Sequence, residues 1–155
     1  MDSSTFRQLL GRFATGVTVI TATDAEGRPH GMTASSLTSV SLAPPLLLVC
    51  VDHGASFHPV IERAEAFVVN VLTNHQETVS RRFAGKHEDK FDGIGYRISD
   101  HGLVLLDGAL AHLECAVERR IPAGDHTIVL GRLVGGDAAD GHPLLYYRGG
   151  YAELG

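Results

Sequence analysis

The sharpest chemical signal in this chain is an imidazole next to a carboxylate and a glycine, at Gly124-Asp125-His126. It lies between a strand-like alternation from Leu110 to Val117 and a β-branched, apolar run from Thr127 to Leu133. Such a corner can position a carbonyl or donate a hydrogen bond to developing charge. A polar turn residue opening a strand is the plainer reading, and the residues alone leave the two even. A Ser-His-Asp hydrolase would have its residue types here, but the G-x-S-x-G elbow is missing from the sequence.

Three other segments carry less pointed chemistry. Gly31-Met32-Thr33-Ala34-Ser35-Ser36 sets hydroxyls beside a glycine, which can bring O–H and N–H donors close to a phosphate. The alternative is that they decorate the solvent face of an edge strand. Cys50-Val51-Asp52 ends an apolar run and leads to Gly54-Ala55-Ser56. Backbone groups at a strand end can meet the in-plane donors and acceptors of a flat heterocycle, while Ser56 reads more readily as a helix cap. Arg81-Arg82-Phe83-Ala84-Gly85-Lys86 can hold a pyrophosphate or stack on an adenine, against a solvated helix face with one core phenylalanine. The 9 histidines follow no HxxxH or HExxH spacing, which argues against a metal centre. His112 falls on a strand face that can be exposed. Gly93-Ile94-Gly95 lacks the third glycine and the following helix of a dinucleotide fingerprint.

The elements that must position these groups are mostly strands. Phe6, Leu9, Leu10 and Phe13 recur at helical spacing, which predicts an amphipathic helix from Thr5 to Thr15, with a Thr5–Gln8 capping box and Gly16 as C-cap. Val17–Thr23 reads as a strand, Asp24–Gly27 as a hairpin turn, and His30–Thr38 as the return. Further strands are expected at Leu46–Val51, Phe67–Leu72, Ala109–Arg119, His126–Gly135 and Leu144–Tyr147, the last extending towards Tyr151. Short helices are expected over Ser56–Arg63 and Gln76–Phe83, and Lys86–Gly102 reads as a surface excursion without period. Six or seven strands at hairpin-like spacing predict an antiparallel barrel with helices over its ends, formed by 155 residues as one domain. A net charge of −5 with no basic run argues against nucleic acid. The longest apolar run is too short to cross a membrane, and Met1-Asp2-Ser3-Ser4 does not open a signal peptide. Cys50 and Cys115 read as buried free thiols of a reducing cytoplasm.

Taken together these segments resemble the short-chain flavin reductases, the reductase components of two-component flavin-dependent monooxygenases. The resemblance runs from Phe13-Ala14-Thr15-Gly16-Val17-Thr18 through Gly31–Ser41, the Pro44-Pro45 strand with Cys50-Val51, and Arg82–Gly85. It closes with Leu113-Glu114-Cys115, Gly124–Thr127 and Pro143–Gly150. The resemblance implies a mainly β fold, an antiparallel FMN-binding split barrel with a few flanking helices. It implies a cytoplasmic homodimer that moves a hydride from NADH or NADPH to FMN or FAD and supplies an oxygenase component. Met32, Thr33, Ala34, Ser35 and Ser36 would hold the flavin phosphate and ribityl chain, and Cys50, Val51, Asp52 and Ser56 the isoalloxazine edge. Arg82, Phe83, Ala84 and Gly85 would hold the phosphate or adenine end. His126, with Tyr147, Arg148, Gly149 and Gly150, would meet the nicotinamide nucleotide, His126 as an orienting group rather than a proton carrier. A non-enzymatic flavin-binding or storage protein on the same barrel is the alternative, and a hydrolase built on His126 and a serine is the third reading.

Overall fold

The computed structural model describes residues 1–86 and 88–155. In chain order its elements are α1 (Ser3–Leu10), β1 (Thr15–Gly16), β2 (Thr18–Thr23), β3 (Pro29–Ala34), β4 (Thr38–Ser41), β5 (Leu46–Asp52), α2 (His58–Ile61) and β6 (Ala66–Val71). There follow α3 (Glu77–Ala84), β7 (Tyr96–Ile98), β8 (Val104–Leu106), β9 (Ala111–Ala123), β10 (His126–Ala138), β11 (Leu145–Tyr147) and β12 (Gly150–Ala152).

Seven of these strands form one antiparallel sheet in the order β3-β2-β6-β9-β10-β5-β4. The alternation that predicted them is what buries them, because successive side chains of a strand face opposite sides. Ile20, Leu47, Val49, Val51, Phe67, Val69, Cys115 and Val129 point to one side and make the main core with Phe57 and Ile61. On the other side Val17, Val19, Leu72 and Phe83 meet Leu106 and Leu144 in a second core. β2 is therefore covered on both faces, which is why its polar Thr18 and Thr21 are buried too. Asn70 supplies the polar link between the layers: its amide donates to Val19 O at 2.9 Å and its oxygen accepts from Leu106 N at 2.9 Å.

The chain leaves β3 at one edge of the sheet and enters β4 at the other, so Ser35–Leu37 is a crossing and not part of a return strand to Thr38. At that crossing the split in the barrel is bridged by a side chain. Ser36 Oγ accepts from Cys50 N at 2.9 Å and donates to Cys50 O at 3.2 Å, just beyond the last residue pair of the β4–β5 ladder at Thr38↔Leu48. The hydroxyl stands in for the missing strand.

Several expectations are corrected. α1 ends at Leu10 and not Thr15: Asp2, whose carboxylate accepts from Thr5 N at 2.7 Å, is its N-cap, and Gly11 closes it. Thr15 and Gly16 are strand residues paired with Tyr146 and Leu145. The amphipathic face of α1 buries no residue. The Lys86–Gly102 segment holds strand β7, paired with β8, and Phe91 and Ile94 pack on the second core. His87, within that segment, lies outside the described residues. His112 is buried and not exposed: its Nε2 meets Leu106 O and its Nδ1 meets Asp137 Oδ1, both at 2.7 Å. The terminal strand is a hairpin, β11–β12, turning through Arg148 (φ 52°) and Gly149 (φ 79°). Cys115 is fully buried whereas Cys50 is half-buried, and both are free.

Candidate functional site

The sheet brings three of the sequence segments to one place. Ser36 is tied to Cys50 as described, and His126 pairs with Asp52 across the β5–β10 ladder. The end of β3, the end of β5 and the start of β10 therefore form one corner of the sheet, although about 90 residues of chain separate the first from the last.

Within that corner many of the hydroxyls are already engaged. Thr33 Oγ1 donates to Ser80 O of α3 at 2.6 Å, and Ala34 O accepts from Thr18 Oγ1 at 2.8 Å. Met32 and Ala34 lean on the main core, which leaves Ser35 as the exposed member of the set. α3 can approach β3 this closely because Gly31 has no side chain: a Cβ there would lie 2.7 Å from Phe83 Cε1. Phe83 itself is completely buried, so it shapes β3 from beneath and its side chain offers no ligand surface.

On the opposite wall Val51 is fully buried and only its backbone can face a ligand, while Asp52 is exposed and its Oδ1 accepts from Gly54 N at 2.7 Å. Burial raises the Cys50 thiol above its ordinary value, and burial followed by the nearby Glu114 charge raises Cys115 to about 12. Neither is poised as a nucleophile, which needs the thiolate. Ser56 does not cap α2. The N-cap is Phe57, without a side-chain bond, and Ser56 instead lines a cavity of about 730 Å³.

That cavity was not foreseen from the sequence. Its walls include Arg28, His30, Gly31, Ser56, Phe91 and Tyr96, and its volume lies in the range of small-molecule sites. Phe91 is edge-on to both Phe83 and Tyr96, at 4.9 and 5.4 Å between centroids. His30 Nε2 meets Asp24 Oδ2 at 2.9 Å, and that contact, with the N–H of Arg28, holds the Asp24 carboxyl down to about 2. Lys90 also lines the cavity. Its Nζ donates to Phe83 O at 3.1 Å, and partial burial lowers its ammonium below the ordinary value.

The Arg82 group divides. Arg82 Nη1 donates to Asp92 O at 2.6 Å, away from the neighbouring residues it was grouped with. Ala84 and Gly85 line a second cavity, of about 320 Å³, with Arg81, Tyr151, Gly149 and Gly150. Arg81 lies over the Tyr151 ring at 4.9 Å, and Tyr151 Oη meets Ser80 Oγ at 2.7 Å. Arg81 and Tyr151 are thus the cation and aromatic of that cavity. The Arg81-Arg82 pair was the available signal, since helical phase turns only one of two adjacent arginines to a given side. Of the Tyr147–Gly150 turn only Gly149 and Gly150 line this cavity, beside Tyr146; Arg148 N instead donates to Gly11 O at 3.0 Å, and neither Tyr147 nor His126 is among the walls.

His126 stands half-exposed at the start of β10, after a turn in which Gly124 takes φ 62°. Its Nδ1 meets Asp125 Oδ1 at 2.6 Å, and this bond, followed by the imidazole charge, holds the Asp125 carboxyl below its ordinary range. In its neutral form the ring then carries its hydrogen on Nδ1, donated to the carboxylate, and leaves Nε2 bare.

The chain matches the model of the flavin reductase like domain over residues 10–155. A flavin reductase of Pseudomonas putida is 45% identical over 153 residues, covering 97% of this chain and 89% of that protein. The reductase subunit HsaB of a flavin-dependent monooxygenase from Rhodococcus jostii is 40% identical, covering 99% of this chain and 79% of its own. Among solved structures, the NADH:FAD oxidoreductase of Streptomyces globisporus, in complex with NAD and FAD fragments, superposes with a TM-score of 0.94 at 39% identity, covering 99% of this chain and 93% of that one.

Proposed function

Because the chain belongs to the flavin reductase like family, we propose that it is an NAD(P)H:flavin oxidoreductase, moving a hydride from NADH or NADPH to FMN or FAD and handing the reduced flavin to a separate oxygenase component. The observation that carries this reading is the corner where Ser36, Cys50, Asp52 and His126 converge, together with a cavity of about 730 Å³ whose walls combine Phe91 and Tyr96, the Ser56 hydroxyl, the cations Arg28 and Lys90, and the carboxylates Glu88 and Asp89. Those walls fit a flat heterocycle with a phosphate-bearing tail.

Bound flavin supplies the hydride acceptor, and the protein supplies orientation and electrostatics. Strand-end backbone at Cys50, Val51 and Asp52, with the Ser56 hydroxyl, offers groups to the ring edge. Met32, Thr33, Ala34 and Ser36 hold the β3 wall, from which Ser35 can reach the ribityl chain or phosphate. Ala84 and Gly85, beside Arg81, suit a phosphate or adenine end, with Arg82 and Phe83 fixing the helix that carries them. The bare Nε2 of His126 suits the amide N–H of a nicotinamide carboxamide, setting the dihydropyridine over the flavin without carrying a proton. Gly149 and Gly150 line the second cavity, on the nucleotide side of the proposed site, and Tyr147 and Arg148 form the hairpin turn that carries them.

The protein works as a homodimer in this reading. Support comes from α1 and the residues after it, where Phe6, Leu9, Leu10 and Phe13 expose 57%, 56%, 55% and 75% of their surface. A contiguous apolar face of this kind marks an interaction surface, and a second copy would cover it.

Anaerobic mixing of the protein with FMN or FAD and each nicotinamide, followed by flavin absorbance, tests the activity. Bleaching faster than in free flavin is expected, and His126→Ala should slow it more than it weakens flavin binding. Flavin bound without accelerated bleaching would favour the storage protein instead.

A further inference from the structure

A cluster beside His126 is used by none of the chemistry above. Thr127 is buried, and its Oγ1 is the shared partner of two imidazoles: His53 Nε2 at 3.0 Å and His58 Nε2 at 3.1 Å. The two rings stand edge-on, 4.9 Å apart between centroids. His58 Nε2 also lies 3.2 Å from Glu62 Oε1. His53 N donates to Asp125 O at 2.9 Å, so the loop after β5 is joined to the β9–β10 tip by backbone as well.

The direction of these bonds follows from what each atom can do. A carboxylate oxygen 3.2 Å away favours a hydrogen on His58 Nε2, which Thr127 Oγ1 accepts. Thr127 Oγ then accepts from His58, and its one hydrogen is free to go to His53. His53 Nε2 must therefore be bare, with the ring proton on Nδ1. The chain reads His58, Thr127, His53, with the Glu62 carboxylate beside its start. A second proton on His53 would sit on Nε2 and turn an acceptor into a donor, leaving the buried Thr127 hydroxyl facing two donors with nowhere to place its own hydrogen.

We propose that Thr127 is a positioning residue: through His53 and His58 it fixes the hairpin tip bearing His126 against the loop bearing Ser56. The proposal rests on reading His126 as the nicotinamide contact. It explains why two histidines with no ligand spacing in sequence converge on one hydroxyl.

Histidine ring 15N spectra and steady-state kinetics test it together. At neutral pH His53 is expected with a protonated Nδ1 and bare Nε2, and His58 with a protonated Nε2, the signals assigned by His53→Gln and His58→Gln. A proton on His53 Nε2 at neutral pH overturns the chain of donors, whatever His126 does. Thr127→Val should raise the KM for NADH about fivefold, the scale of one net hydrogen bond, while the flavin Kd stays within about twofold. Thr127→Ser should restore the wild-type value. If Thr127→Val folds and keeps the wild-type KM, or weakens flavin and NADH alike, the clamp is refuted. If Thr127→Val does not fold, His53→Gln takes its place with the same expectation. His126→Ala with an unchanged KM for NADH would sink the nicotinamide reading separately, since the ring spectra would still report the clamp.

Discussion

Replacing Ser36 by alanine separates two roles that the sequence alone leaves mixed. The structure gives the Ser36 hydroxyl both polar groups of Cys50, accepting from its N–H at 2.9 Å and donating to its carbonyl at 3.2 Å. No strand can replace it, because the β4–β5 ladder has already ended at Thr38↔Leu48. Each such bond contributes about 1 kcal/mol net, and water can partly repair a half-buried break. Ser36→Ala should therefore cost about 1–2 kcal/mol, or a fall in Tm of roughly 2–8 °C for a chain of this size. Thermal unfolding by circular dichroism measures the stability, and fluorescence titration with riboflavin and with FMN measures binding. The expected outcome is a lower Tm with riboflavin and FMN weakened alike, because the wall itself has moved. A direct phosphate ligand would behave differently. FMN affinity would then fall by about tenfold, or about 1.4 kcal/mol, with riboflavin and Tm unchanged, and that result would refute the reasoning.

Gly31→Ala places a Cβ 2.7 Å from the buried Phe83 ring, so it should destabilise by about 1–3 kcal/mol in denaturant titration and loosen α3 from β3. Asp24→Asn should lower Tm at pH 6, because a carboxyl held down to about 2 in the fold stabilises it above the ordinary 3.8. That advantage is lost as pH falls towards 2, so the gap between variant and wild type should close in acid; a gap independent of pH would contradict the hydrogen bonds that hold the Asp24 carboxylate. Phe6→Glu with Phe13→Glu should turn a dimer into monomers by sedimentation analysis, with the far-ultraviolet spectrum unchanged, since neither side chain is in the core. A wild-type monomer would remove the dimer from the proposal.

Much of the fold was legible because strand burial has a period of two. The runs around Ile20, Val49, Val69 and Val129 announce their strands, and the Asp24–Gly27 turn its hairpin, from neighbours in sequence alone. The hidden hairpin β7–β8 was not legible, since its three-residue strands are too short to display a period. α1 misled for the opposite reason. Its helical stripe was real, but a stripe says that something must cover it and not that this chain does.

The site was legible as a set of residue types and not as an arrangement. The sequence by itself determined that an imidazole would sit beside a carboxylate at a turn, that hydroxyls would follow Gly31, and that the chain would be mainly strands. Only the tertiary structure decided that Ser36 would be spent on Cys50, that Phe83 would lie under Gly31, that Arg81 would face Tyr151, and that His53 and His58 would share Thr127. Periodicity is a local property, set by the pleat of one strand. Which strands become neighbours, and in what register, is settled by burying both faces of the sheet at once; the Thr127 contacts follow from the β5–β10 pairing, and those of Phe83 and Arg81 from α3 packing beside it.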